Sequence, residues 1–246
     1  MAVIPPLISD FPVITCETGW PENSEIFHSG AIILLDKPLD WTSFDVVKYV
    51  RNRIPAKKVG HAGTLDPLAT GLLIVCSGKA TKAISQIQDL PKTYTAVIRF
   101  GASTPSYDSA TEPDHTANWS HITESGLKKL IIENFIGTIE QKPPLYSAKK
   151  VEGKRLYQYA REGQEIEVKK RPVTIHQIEI SEINLPDITI IVRCGKGTYI
   201  RSLAHDIGLG LNSRAYLSQL RRTETGHFNV DQAFKPSLIN ELRKRK

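Results

Sequence analysis

Cysteine is scarce in this chain: Cys16, Cys76 and Cys194 stand far apart among 246 residues, with no C-x-x-C. That pattern argues against a disulfide framework and against a structural zinc site. No apolar run approaches the ~20 residues that cross a bilayer. The N-terminus lacks a basic segment followed by an apolar stretch, so no secretory signal is expected and a cytoplasmic location follows. Ser77-Gly78-Lys79 is no Walker A motif, because the earlier glycine is missing and Ala80 stands where Ser or Thr is needed. Gly195-Lys196-Gly197 lacks the third glycine of a dinucleotide fingerprint. Neither a nucleotide cofactor nor a metal is expected. There is no internal repeat and no coiled-coil pattern, and a monomer is the expectation.

What remains is ordinary for a soluble globular protein: 40% hydrophobic and 24% charged residues, in a chain long enough to bury a sizeable core. The formal net charge is +6 and the sequence pI about 9.1. This balance favours polyanions, of which nucleic acid is the commonest, although a basic protein without such a partner fits the charge equally well. Lys57-Lys58, Lys149-Lys150, Lys154-Arg155, Lys169-Lys170-Arg171, Arg221-Arg222 and Arg243-Lys244-Arg245-Lys246 are scattered pairs and runs. Each is either solvated surface charge or a phosphate contact.

The pattern of apolar residues predicts an irregular N-terminal extension over 1–29 and one domain over 30–246. Ala31 to Leu35 reads as a buried strand ended by Asp36-Lys37-Pro38. Thr42-Ser43 opens a helix, with Asp45 placed for a capping box and Val46, Val47, Val50 and Ile54 as its apolar stripe. A strand over 72–76 and a helix over about 80–89 follow. In Lys92 to Phe100, Tyr94, Ala96, Ile98 and Phe100 share one face. Residues 102–120 read as a loop, about 123–135 as a helix, and Pro143 to Tyr159 as a loop and a short helix. Strands over 173–183 and 188–194 precede a helix with Ile200, Leu203, Ala204, Ile207 and Leu211 on its apolar face. A strand over 216–225 and a helix over about 237–244 complete the chain. Strands and helices mix without strict βαβ alternation, which predicts an α+β fold with a mixed, mostly antiparallel central sheet flanked by helices.

One stretch stands out: Gly60-His61-Ala62-Gly63-Thr64-Leu65-Asp66-Pro67-Leu68-Ala69-Thr70-Gly71. Glycines permit turns and close approach of the backbone, and Pro67 stiffens the segment after Asp66. From the residues alone, Asp66 is either a turn residue satisfying backbone N–H groups or a carboxylate presented to a ligand. Arg201 is either a solvated charge or faces a cleft. Tyr94, Tyr199 and Leu220 fit core packing.

This loop and five other segments, in order from about residue 30 to 240, resemble the bacterial tRNA pseudouridine synthase B family. The others are Gly30 to Pro38 with its Asp-Lys-Pro turn, Lys92-Thr93-Tyr94, Pro144 to Tyr157, and Gly197 to Leu203 with Leu220-Arg221-Arg222 after it. The resemblance implies the pseudouridine synthase fold and an RNA-modifying isomerase. Its substrate would be the uridine at position 55 in the T-loop of tRNA, and no cofactor, metal, membrane or obligatory protein partner would be involved. It implies Asp66 as the catalytic carboxylate and Arg201 as the guanidinium that holds it ionised. Tyr94 would stack on a flipped-out uracil and help to move its C5 proton. His61 is either a catalytic base or, as the resemblance implies, an RNA contact that fills the space left by the flipped base. Tyr199 and Leu220 would line the pocket, and Lys37, like the basic pairs, is either a solvated surface charge or a phosphate contact in substrate binding. The chain ends too soon for the full C-terminal RNA-binding module of the family's longer members. Two other readings stand beside this one: a guide-RNA pseudouridine synthase, disfavoured by the Leu68-Ala69-Thr70-Gly71 ending, and a catalytically silent protein that folds tRNA.

Overall fold

The computed structural model describes residues 6–147, 149–164 and 166–239. The chain divides into two compact units, one of Met1–Tyr94 with Arg221–Lys246 and the other of Thr95–Leu220, where a single domain over 30–246 was expected.

The first unit is built on two strands buried on both faces. Gly30–Lys37 and Ala69–Gly78 pair antiparallel, from Gly30 opposite Gly78 to Lys37 opposite Gly71. Every residue of 31–35 and 72–76 is fully buried, which is why both segments read as continuous apolar runs rather than alternating ones. Val59–His61 pairs antiparallel with residues 75–77 near the end of Ala69–Gly78, on the edge away from Gly30–Lys37, and the end of the strand Ala215–Thr225 lies along that same edge. The helix Ser43–Arg51 starts as expected: Thr42 accepts from the Asp45 amide and the Asp45 side chain accepts from the Thr42 amide. Val46, Val47 and Val50 are its buried face.

The N-terminal segment is not irregular. Val13–Ile14 adds a parallel strand beside Gly30–Lys37, Glu25–Ser29 is a short helix, and Ile8, Ile14 and Phe27 are buried in the core. Each apolar cluster there is too short to show a period, so periodicity could not find it.

In the second unit the sheet runs in the order 95–100 (the greater part of the strand Lys92–Phe100), Asp187–Cys194, Arg171–Asn184, Gly137–Gln141. Arg171–Asn184 pairs antiparallel with both of its neighbours. Ala96, Ile98 and Phe100 are buried, the alternation read from the sequence. Its longer helices are Glu124–Asn134, capped by Thr123, and Ile200–Gly210, with Ile200, Leu203, Ala204 and Ile207 inside, and a short helix spans Leu156–Arg161. The expected loop over 102–120 contains a small antiparallel ladder, Ala102–Ser103 with His115–Thr116. The fold is α+β, and among the described pairings only Val13–Ile14 with Gly30–Lys37 within the sheet is parallel. Most of the helix expected over 237–244, and the basic run Arg243–Lys246, lie outside the described residues. No helix among the described residues is long and apolar enough to cross a membrane.

Candidate active site: a clamped aspartate loop and an anchored arginine

The Asp66 loop is fastened at four places within the first unit. The Ser43 hydroxyl accepts from the Leu65 amide at 2.8 Å and donates to the Leu65 carbonyl at 3.1 Å. On the other side of Asp66, the Pro67 carbonyl accepts from the Asp40 amide at 3.0 Å and from Lys37 Nζ at 3.1 Å. Arg222 donates from Nη2 to the Gly63 carbonyl at 3.1 Å and from Nε to the Leu72 carbonyl at 2.7 Å. Gly71 lies against the backbone of Arg222, and a Cβ there would stand 2.2 Å from the Arg222 carbonyl oxygen. Leu65 and Ala69 are buried, while Asp66 between them is half-buried. A carboxylate is thus presented from a segment whose backbone has little freedom to move.

Lys37 fits neither a solvated surface charge nor an open phosphate contact. Its side chain is fully buried, and Nζ also donates to the carbonyls of Pro38 at 2.9 Å and Trp41 at 2.6 Å. Burial pushes its pKa down to about 8, against the opposing pull of the Asp66 charge. It is a fastener beneath the loop. The basic pair Arg221-Arg222 is likewise committed to the protein. Arg221 makes a bidentate pair with Asp36, at 2.8 and 3.0 Å, and Arg222 is buried.

His61 closes the strand Val59–His61, opposite Val75. Burial and the nearby Arg222 guanidinium lower the pKa of its imidazole, with a backbone hydrogen bond at Gly63 opposing, so the ring is neutral at neutral pH. Tyr94 belongs to the same unit and is 9% exposed. Lys92, two residues earlier and also buried, donates to the Gln88 and Leu90 carbonyls at the end of the helix Ile84–Asp89.

Arg201, Tyr199 and Leu220 belong to the second unit. Arg201 lies in the first turn of the helix Ile200–Gly210 and is 4% exposed, not a solvated charge. Nη1 donates to the Ser106 carbonyl and Nη2 to the Tyr146 carbonyl, both at 3.0 Å, and Nε is 3.5 Å from Asp108 Oδ2. The turn leading into the helix is held by Gln141, whose buried amide accepts from the Tyr199 N–H at 2.8 Å and donates to the Tyr199 carbonyl at 3.0 Å. Ser202 Oγ donates to the Lys142 carbonyl at 2.7 Å. The Tyr199 ring is half-buried and lies beside the Arg171 guanidinium, and Leu220 is half-buried.

Sequence reading missed the fasteners Ser43, Arg222, Gln141 and Asp108. Only Arg222 carried a signal. Adjacent residues of a strand point to opposite faces, so two consecutive arginines in Ala215–Thr225 cannot both be exposed on one side. The other three act across long stretches of chain and leave no local trace. Among the described residues, no three His, Cys, Asp or Glu side chains are grouped to hold a metal ion.

Residues 51–200 match the family model described as TruB family pseudouridylate synthase (N terminal domain). That span includes Asp66 and Tyr94. The chain is 48% identical to the tRNA pseudouridine synthase B of Flavobacterium johnsoniae, over 88% of its own length and 97% of the relative's. The corresponding protein of Bacteroides fragilis is 49% identical over 87% of this chain and 94% of that one. The protein of Geobacter sulfurreducens is 40% identical, and there the match spans 69% of its length. Among solved structures, one chain of a Cbf5–Nop10–Gar1 complex is similar with a TM-score of 0.69 and 31% identity, covering 92% of this chain. This chain spans only 58% of that one. With a family model covering more than half its length and such relatives covering nearly all of it, the chain belongs to the TruB family of pseudouridylate synthases.

Proposed function

We propose that this chain converts the uridine at position 55 in the T-loop of tRNA to pseudouridine, with Asp66 acting on the ribose of a flipped-out nucleotide. Uridine-to-pseudouridine isomerisation in tRNA follows from the family and from relatives named tRNA pseudouridine synthase B at nearly full mutual coverage. The similar chain from the Cbf5–Nop10–Gar1 complex, at 31% identity, is more distant than the relatives named tRNA pseudouridine synthase B, at 48–49%, which favours an enzyme that acts on tRNA over a guide-RNA assembly.

The reaction is internally balanced. The bond from uracil N1 to the sugar breaks, the base turns, and C5 bonds to the same sugar carbon; a proton leaves C5 and one is gained at N1. Such chemistry needs a carboxylate beside the ribose, either as nucleophile or to remove the 2′ proton. The observation that carries this assignment to Asp66 is the clamped loop: its flanking carbonyls at Gly63, Leu65, Pro67 and Leu72 are each engaged, while Asp66 itself is half-buried. A preorganised carboxylate loses little energy to reorientation during reaction.

In this reading the Arg201 guanidinium keeps the carboxylate ionised, and Tyr94 stacks on the extruded uracil, whose extrusion costs a few kcal/mol. Tyr199, Leu220 and a neutral His61 line the site. The exposed Lys57, Lys58, Lys169 and Lys170 contact phosphates. The enzyme works as a monomer in the cytoplasm without a cofactor.

The test is to map pseudouridine after incubating the protein with an unmodified tRNA transcript. A single modified site at position 55 is expected. Modification elsewhere, with position 55 untouched, would overturn the T-loop assignment.

A further inference from the structure

We propose that Tyr107 and His205 form a positioning pair that holds the segment Ser106–Asp108 against the helix Ile200–Gly210 and so aims the Arg201 guanidinium. The inference rests on the reading of Arg201 given above.

Arg201 and His205 are four residues apart in one helix and therefore lie on the same face, one turn from each other. Three consecutive residues meet that face. The Ser106 carbonyl accepts from Arg201 Nη1 at 3.0 Å, and Asp108 Oδ2 is 3.5 Å from Arg201 Nε. Between them, the Tyr107 ring stacks on His205, with ring centroids 3.9 Å apart and planes 15° from parallel. The other oxygen of Asp108 is occupied, accepting from the Ser106 hydroxyl at 2.6 Å and from the Ala110 amide at 3.0 Å. The segment is thus organised around the arginine from both sides of Tyr107.

The backbone at Tyr107 supplies the second line of support. Its φ is +62°, in the left-handed region that an aromatic residue adopts only at a cost. Were the turn alone required, glycine or asparagine would form it more easily. The Tyr107 amide donates to the Thr104 carbonyl at 3.1 Å, and the Tyr107 carbonyl accepts from Leu217 at 3.0 Å, which pins the strained residue in place. The ring contact with His205 is what an aromatic side chain adds there, and strain of this kind is retained where the surrounding structure uses it.

The surroundings keep the stack neutral. Besides Asp108 and Arg201, the charged groups that act on the pair among the described residues are Asp114, Arg214 and Asp206. Burial and the Arg214 charge lower the pKa of His205, opposed by Asp114. No second cation therefore forms one turn from Arg201 at neutral pH. His205 Nδ1 is buried with no hydrogen-bond partner among the described residues, so on that side the ring is held by packing.

The test compares single-turnover isomerisation rates and tRNA affinities for Tyr107→Phe, Tyr107→Gly, His205→Leu and the double variant Tyr107→Gly/His205→Leu. Arg201→Lys is measured in parallel, and melting curves confirm that each protein is folded at the assay temperature. Glycine relieves the backbone strain while deleting the ring, so its effect on rate is not one of a strained turn. The expectation is a loss of about 10- to 100-fold in rate for Tyr107→Gly, with tRNA affinity changed less than about threefold, since small misplacements of a reacting group act on rate. Tyr107→Phe should restore the rate to within about twofold, and the double variant should be no slower than the slower single one. A Tyr107→Gly enzyme as fast as wild type, or single effects that multiply in the double variant, would overturn the pair. If Arg201→Lys is itself as fast as wild type, the underlying reading of Arg201 fails instead.

Discussion

The two units solve one physical problem in opposite ways. Each buries an arginine against backbone carbonyls. In the first unit two buried cations, Lys37 and Arg222, are fasteners of the loop that carries the Asp66 carboxylate between their acceptors. In the second unit the buried cation, Arg201, is itself the functional candidate, and the carbonyls of Ser106 and Tyr146 with the Asp108 carboxylate are its fasteners. A buried arginine therefore says little about its role until its neighbours are known. The useful distinction is whether the residue lying between the anchored groups has chemistry to offer.

The sharpest stability contrast lies between two adjacent arginines of one strand. Arg222→Met would leave the Gly63 and Leu72 carbonyls without their donor in a buried site, and about 2–4 kcal/mol of unfolding free energy should be lost. Arg221→Met removes a partly exposed pair with Asp36, and the loss should stay below about 1 kcal/mol. Denaturant melts of the two variants check this, and equal losses would break the contrast.

A smaller effect sharpens the view of the second unit. Burial raises the Asp206 pKa to about 6 from 3.8, with Lys170 opposing. The folded state then holds its proton to a higher pH than the unfolded chain, so stability from this group falls as pH rises from about 4 to about 6 and stays low above that. Asp206→Asn should gain about 1–2 kcal/mol at pH 7.5, discounted for partial exposure, and nothing near pH 4. Thermal melts at the two pH values test the sign, and a variant less stable than wild type at pH 7.5 would show that Asp206 is held by more than burial.

Much of the first unit was legible because its signals are local. The apolar runs over 31–35 and 72–76 announced buried strands, and Thr42 with Asp45 announced a helix start. The Asp66 loop announced itself through its glycines, and Gly71 shows why one of them is needed. Lys37 was misjudged because a lysine beside a proline turn looks exposed, and nothing nearby in sequence reveals the Trp41 and Pro67 carbonyls that surround it. The second unit was less legible for the same reason. Gln141 is 58 residues from the Tyr199 backbone it holds, and Ser106 is 95 residues from Arg201. The strand Val13–Ile14 was invisible because its partner, not its own pattern, makes it a strand.

The most direct measurement is tritium release from unmodified tRNA labelled at uracil C5, with wild type and Asp66→Asn compared at equal occupancy of bound tRNA. Wild type should release label with no added metal or nucleotide. Asp66→Asn should bind tRNA within a fewfold of wild type and release label at least about 10³-fold more slowly, as expected for loss of a group acting in the transition state. Release by Asp66→Asn at the wild-type rate would contradict the account.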